Sequence, residues 1–445
     1  MAHDVVRDAA GASIADDLAR DADGAPLTKP RFQFGVMDGV FVALLLLAFV
    51  GVQPFAIRNP ATDLQTGPYQ VTGGGDAFRQ AIYLLVFFSV AGFAVMRRGI
   101  GILSTVPPLL AMLLGWCLLS ALWAAAPDVA LRRAGLAIVV ALSTMLSVDA
   151  LGPERALRIW KIVLACVLIV NWASIGLVHQ SVHLPGEQDP GLVGDWRGLY
   201  FHKNIAGAVS AITAIVFFFS WLRTKHWSDI AIFLLALGFT AMSHSKSSLG
   251  LLPLAIGFGL AYRFAWRTTL DRSIVAVAGV LVLFLLAAAV ALNADTLAQM
   301  LEDPTEFTGR SAIWAAELAF ARDHMFLGSG FGTFADTGSL SPLHNYVAGS
   351  WVEAVAHGHS GYLQILVTIG GVGLLLTVLA TVAAPARRFW KMDGADLDLK
   401  GMLLALFVFF VLHNFMESDF LEGDAPAWVS FLIMLALLYR LPRRA

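Results

Sequence analysis

Charge is what this sequence has least of: charged side chains make up 14% of its 445 residues, against about 25% in an ordinary soluble protein. Hydrophobic residues reach 58%, and the mean hydropathy is +0.72. A water-soluble globule cannot hide that much apolar surface, so most of it must face lipid. The formal net charge of −2 leaves no global basic field, which removes the electrostatic footing for nucleic-acid binding. The two cysteines, Cys117 and Cys166, each fall inside an apolar run, where a thiol fills a packing gap rather than forming a bridge. They do not report the redox compartment. The N-terminal stretch mixes acids with Arg7, Arg20 and Lys29 and has no apolar h-region. It reads as a disordered cytoplasmic tail over residues 1–31, not as a cleavable signal peptide.

What the chain does have is apolar runs. A bilayer core of about 30 Å needs about 20 apolar residues per helix, which predicts an all-α polytopic membrane protein with about twelve spans. They fall near 35–57, 77–96, 105–125, 134–151, 159–178, 205–222, 229–243, 248–264, 273–293, 361–380, 402–416 and 426–441. The organisation is then the tail at 1–31, spans one to nine within 32–293, a large outer loop at 294–358 and spans ten to twelve within 359–445. With the N-terminus inside, only Arg58, Arg79, Arg132, Arg133, Arg197, Lys203, Lys246, Arg310 and Arg322 fall outside. All other Lys and Arg residues then lie on the cytoplasmic side, as the inside rule expects, and both termini are cytoplasmic. The large loop carries a helical pattern from Arg310 to about His324. Ile313, Trp314, Leu318 and Phe320 are available there for an apolar face lying along the membrane surface. A second outer segment, His179 to Asn204, is rich in Gly, Pro and Asp.

Four outer stretches carry residues suited to chemistry. In Asp195-Trp196-Arg197-Gly198-Leu199-Tyr200-Phe201-His202-Lys203-Asn204, Asn204 is placed to cap a helix starting at Ile205. Arg197 is either an interfacial anchor or a fork for a phosphate. The turn Ser243-His244-Ser245-Lys246-Ser247-Ser248 offers hydroxyls and one ammonium, which suit either solvation of the helix ends or a phosphate. In Thr308-Gly309-Arg310-Ser311-Ala312-Ile313-Trp314 a cation sits in the first helical turn, where the macrodipole disfavours it. It pairs either with Glu302, Asp303 or Glu306 or with a bound anion. His359, in His357-Gly358-His359-Ser360-Gly361-Tyr362, stands at the mouth of the tenth span. It serves either as a cap or as a neutral imidazole base near pH 7. His344, His357 and His359 match no standard metal-ligand spacing.

Taken together these stretches resemble the O-antigen ligase and Wzy-type polysaccharide polymerase superfamily of bacterial inner membranes. His359-Ser360, nine residues, Gly370, two residues and Gly373 resemble its histidine motif. Gly309-Arg310 with Trp314, followed by Gly328-Ser329-Gly330-Phe331-Gly332, resembles its second-arginine motif. Arg197-Gly198 with His202-Lys203-Asn204 resembles its first. Ser245-Lys246-Ser247-Ser248 is similar to the exopolysaccharide-polymerase branch. Ser360 departs from the family, which often has Asn there.

The resemblance implies a GT-C-like fold and a glycan donor carried on undecaprenyl diphosphate. The acceptor would be a hydroxyl of the lipid A core or of another lipid-linked glycan, reached on the periplasmic side without metal, nucleotide sugar or other cofactor. It implies His359 as base, Arg197 and Arg310 on the diphosphate, and Lys203, Lys246, His202 and Trp314 as substrate contacts. The rival class is a lipid-linked oligosaccharide flippase or other multi-pass transporter. Such machines keep ionisable groups near the membrane midplane. Here Asp38, Asp149, Lys161 and His413 fall toward span ends instead.

Overall fold

The computed structural model describes residues 35–55, 77–185, 187, 190–265, 310–335, 337–347, 352, 358–392 and 396–441. They form helices α1 (Val36–Phe49), α2 (Ala77–Arg98), α3 (Pro108–Leu119), α4 (Pro127–Leu151), α5 (Pro153–Leu177), α6 (Lys203–Thr224) and α7 (Trp227–Met242). Then come α8 (Lys246–Ala265), α9 (Arg310–Asp323), the single turn α10 (His344–Val347), α11 (Gly361–Lys391), α12 (Leu397–His413) and α13 (Pro426–Arg440). Among the described residues there is no sheet, only an isolated antiparallel bridge between Val182 and Trp196. The all-α expectation holds.

By length and composition six helices can cross a membrane: α2, α4, α5, α6, α8 and α11. Four more apolar helices, built on α1, α3, α7 and α13, are shorter. The expected count of about twelve is therefore not reached among the described residues. The tail at 1–31 and the ninth expected span at 273–293 lie outside them.

Helix starts and ends follow local chemistry. Proline opens α3, α4, α5 and α13, where its missing N–H has no intrahelical partner to lose. Basic residues close α2, α6, α8, α11 and α13, where they face the negative end of the macrodipole. Close packing uses small residues, as it must where lipid competes equally for apolar side chains. A Cβ on Gly259 of α8 would come within 2.5 Å of the Gly401 carbonyl of α12.

Polar contacts gather at the two ends of the bundle. At one end Asp149 of α4 meets Arg98 at 3.0 Å and Arg440 at 2.6 Å, tying α2 and α13 to α4. Arg155 pairs with Asp38, Arg223 with Glu154 at 2.9 Å and Asp396 at 2.8 Å, and Arg263 with Asp398 at 2.6 Å. The other end carries the starts of α6, α8, α9 and α11 and the segment after α12. All the candidate site residues lie there.

Candidate active site

α9 runs from Arg310 to Asp323, close to the helix expected from the sequence. Its buried stripe is Ile313, Ala316, Glu317, Phe320 and Ala321. Leu318 is 45% exposed, because its register turns it off that stripe. Arg310 is at the first helical position. Its Nη2 donates to Glu417 Oε1 at 2.9 Å and its Nη1 to the Met416 carbonyl. The anion that the sequence asked for is thus a carboxylate from beyond α12. Glu302, Asp303 and Glu306, the expected alternatives, lie outside the described residues.

Glu417 is a shared acceptor. Asn204 Nδ2 reaches its Oε1 at 2.7 Å, Ser247 Oγ lies 3.4 Å from the same oxygen, and His359 Nδ1 is 3.6 Å from Oε2. Burial alone would push the Glu417 carboxyl up. The neighbouring His359 imidazole and the charges of Arg310 and His413 outweigh it and hold the group at about 2. It is ionised at any physiological pH.

His359 precedes α11 and sits in the left-handed region, with φ at +49°. Its loop is clamped on both sides. Trp314 Nε1 donates to the Gly358 carbonyl at 3.0 Å, and the Gly361 amide donates to the carbonyls of Asn414 and Glu417 at 2.8 and 2.9 Å. The side chain of His359 remains 34% exposed, so a substrate can reach it. α11 itself breaks at Gly370, whose φ is +70°.

The segment before α6 departs from expectation. The helix begins at Lys203, two residues earlier than a cap at Asn204 requires, and the cap is His202, whose Nδ1 accepts from the Asn204 amide at 3.1 Å. This frees the Asn204 side chain for Glu417. Burial pushes the His202 imidazole down to about 4; Glu417 opposes the shift, while His183, His359 and Lys203 add to it. His202 is therefore neutral at pH 7. Its proton must sit on Nε2, since Nδ1 is an acceptor.

Arg197 does not join the Glu417 cluster. It is 2% exposed, and its guanidinium donates to the Gln180 carbonyl at 2.7 Å and lies 3.0–3.1 Å from Glu187. Glu187 Oε2 also meets His183 Nδ1 at 2.7 Å, and His183 Nε2 accepts from the Lys203 amide at 3.2 Å. The His183 and His202 rings stack edge-on with centroids 5.5 Å apart. Arg197 thus braces the loop that delivers His202. The fork expected to meet the diphosphate thus faces inward, with Nε and Nη1 engaged by Gln180, Glu187 and the Phe201 carbonyl and Nη2 making no hydrogen bond among the described residues. Lys203 is likewise engaged, with Nζ 2.5 Å from Asp195 Oδ2.

The serine turn is also different from its sequence reading. Ser243, Ser245 and Ser248 are buried and bond inward, Ser243 to the Thr240 carbonyl and Ser248 to His413 Nε2 at 3.3 Å. Only Lys246, at the start of α8, is exposed there as a free cation among the described residues. No group of three or more His, Cys, Asp or Glu among the described residues is placed to hold a metal ion.

Residues 231–378, from within α7 to within α11, match the family model described as O-antigen ligase. The match supports the O-antigen ligase and Wzy-type superfamily. No curated protein matches the chain. The O-antigen ligase region contains Lys246, Arg310, Trp314, His359, Gly370 and Gly373. Arg197, His202, Lys203 and Glu417 lie outside it; Lys203 meets it at the His244 carbonyl, 3.4 Å from Nζ, and Glu417 meets it through Ser247, Arg310 and His359. Sequence reasoning missed Glu417 altogether. The acidic run Glu417-Ser418-Asp419 after an apolar span was the one available signal.

Proposed function

We propose that the protein is an inner-membrane glycosyltransferase that moves a glycan from undecaprenyl diphosphate to an acceptor sugar hydroxyl at the periplasmic face. The observation that carries this reading is the meeting of Arg310 and His359 on one ionised carboxylate, Glu417, in and beside the O-antigen ligase region.

The chemistry follows from that arrangement. With His359 Nδ1 turned to Glu417, the carboxylate favours the tautomer protonated on Nδ1, which leaves the Nε2 lone pair to take the proton of the attacking hydroxyl. As the anomeric C–O bond breaks, negative charge grows on the leaving diphosphate. The Arg310 guanidinium has donors beyond the two engaged with Met416 and Glu417, and those meet the charge. Lys246 adds a second cation. Arg197 and Lys203 position the loop that carries His202. Attack in line with the departing diphosphate inverts the anomeric centre.

The test is to incubate purified protein with a lipid-linked oligosaccharide and to offer both a lipid A core acceptor and a second lipid-linked glycan. The product formed names the acceptor class. Arg310→Ala and His359→Ala should each abolish transfer while leaving membrane insertion intact. Arg310→Lys should lose most of it, because a point charge does not replace the planar fork. Near-normal transfer by either alanine variant would remove that residue from the mechanism.

A further inference from the structure

Glu317 lies on the buried stripe of α9 and is 1% exposed. Neither carboxyl oxygen has a hydrogen-bond partner among the described residues. Burial pushes the group up to about 8, so it is largely the neutral acid at pH 7. A buried polar group with no partner is costly, and a hydrophobic side chain of similar volume would avoid that cost.

What the carboxyl faces is Gly358. A Cβ built on Gly358 would lie 2.0 Å from Glu317 Oε1, 2.6 Å from Cδ and 2.8 Å from Oε2, and those are its three nearest atoms. The glycine is bare because the carboxyl occupies the space a side chain would need. Gly358 is the residue before His359. Its carbonyl is held by Trp314 at 3.0 Å and its amide donates to Gln364 Oε1 at 3.2 Å. Arg310, Trp314 and Glu317 follow one another along a single stripe of α9, at helical spacing. They grip Glu417, the Gly358 carbonyl and the Gly358 Cα in turn. The left-handed backbone of His359 is strained and persists only where its surroundings hold it.

We propose that Glu317 is a positioning residue, whose carboxyl seats Gly358 and thereby aims the His359 imidazole at Glu417 and the reacting hydroxyl. The proposal rests on the transferase reading for its consequence in turnover, but its geometry can be read without any substrate.

The experiment uses full-length protein in detergent and two readouts: the rate at which diethylpyrocarbonate modifies His359, followed by mass spectrometry, and transfer from a lipid-linked oligosaccharide. Glu317→Gln keeps the volume and neutrality of the group and should leave both within about twofold. Gly358→Ala should change the labelling rate and lower kcat about 100-fold at unchanged donor KM, the scale of a misplacement of about 1 Å. Glu317→Ala should lower kcat about tenfold. In the double variant Gly358→Ala/Glu317→Ala the new methyl enters the vacated space, so labelling should return toward the wild-type rate and kcat should rise at least tenfold over Gly358→Ala. Labelling in the double variant no different from that in Gly358→Ala would overturn the proposal, as would wild-type labelling in both Glu317→Ala and Gly358→Ala. Should the wild-type protein transfer nothing to either acceptor, the transferase reading fails, and the labelling arm still decides whether Glu317 seats His359.

Discussion

Glu417 collects partners from four stretches of chain: Arg310 opening α9, Asn204 in the first turn of α6, Ser247 in the first turn of α8, and His359 before α11. Its carboxyl falls from an ordinary value of 4.5 to about 2 on folding, against the effect of burial. A depressed folded value means that the ionised group stabilises the fold above about pH 4.5, and that this contribution disappears as pH falls through 2. The shift corresponds to ~3 kcal/mol. Glu417→Gln should therefore lower the unfolding midpoint at pH 7, with a deficit that narrows below about pH 4.5. It should also reduce transfer, since Arg310 and His359 lose their common anchor. A thermal melt series in detergent from pH 3 to pH 7 checks the first part, and a deficit constant over that range would contradict it. Arg310 and His359 could be singled out from sequence because each breaks a local rule, a cation at a helix start and an imidazole at a span mouth, and Trp314 because it completes the motif that begins at Gly309-Arg310. Glu417 breaks none. An acid just outside a span is ordinary, and only the folded chain shows what it meets.

The helices repeat this pattern. α9 was readable from its periodicity, and the tight α7–α8 pair from its two apolar runs, because both depend on residues close in sequence. The break in α11 was not. Gly370 and Gly373 marked a motif inside the span expected near 361–380, and nothing in their spacing signalled a break. In the structure the segment after α9 lies in the gap: Ser329 N donates to the Val367 carbonyl at 2.9 Å, Gly330 N to that of Thr368 at 2.8 Å, and Gly371 N to that of Met325 at 2.7 Å. Trp116 Nε1 closes the Ile369 carbonyl at 3.0 Å. A broken helix in an apolar setting must have its freed backbone groups satisfied by protein, and this segment supplies the partners. It also fixes where the first half of α11, with His359 at its mouth, stands relative to α9. Gly370→Ala would put a methyl 2.0 Å from the Phe326 carbonyl at a φ of +70°. We expect it to cost more than about 2 kcal/mol and to make the segment after α9 sensitive to protease. Gly115→Ala in α3 meets no atom within 4 Å and is the control: it should be neutral or stabilising by up to about 1 kcal/mol. Equal melting points for the two variants would mean that the docking of this segment contributes nothing.

Across the molecule the polar groups divide into two layers joined by the apolar lengths of the long helices. α6 spans between them, from Lys203 beside the Glu417 cluster to Arg223 beside Glu154 and Asp396, a rise of about 33 Å for its 22 residues. The Arg223 end also borders a cavity of about 380 Å³ lined by Lys161, Ser220 and Asp229, where Lys161 and Asp229 pair at 3.0 Å. Two layers of charge could each face the cytoplasm. The distribution of Lys and Arg along the sequence argues for the Arg223 side, because residues that cannot cross the bilayer during insertion stay where they are made. That orientation puts His359 and Arg310 on the periplasmic side, where a lipid-linked glycan and its acceptor would meet them. It is testable with two single cysteines, introduced after Cys117 and Cys166 are replaced. Lys225, the exposed C-cap of α6, and Val193, 45% exposed in the loop before it, lie on opposite layers. A membrane-impermeant maleimide added to intact cells should label Val193→Cys and leave Lys225→Cys unmodified until the membrane is opened. The reverse pattern would place the Glu417 cluster inside the cell, where a periplasmic acceptor could not reach it, and the proposed reaction would lose its site.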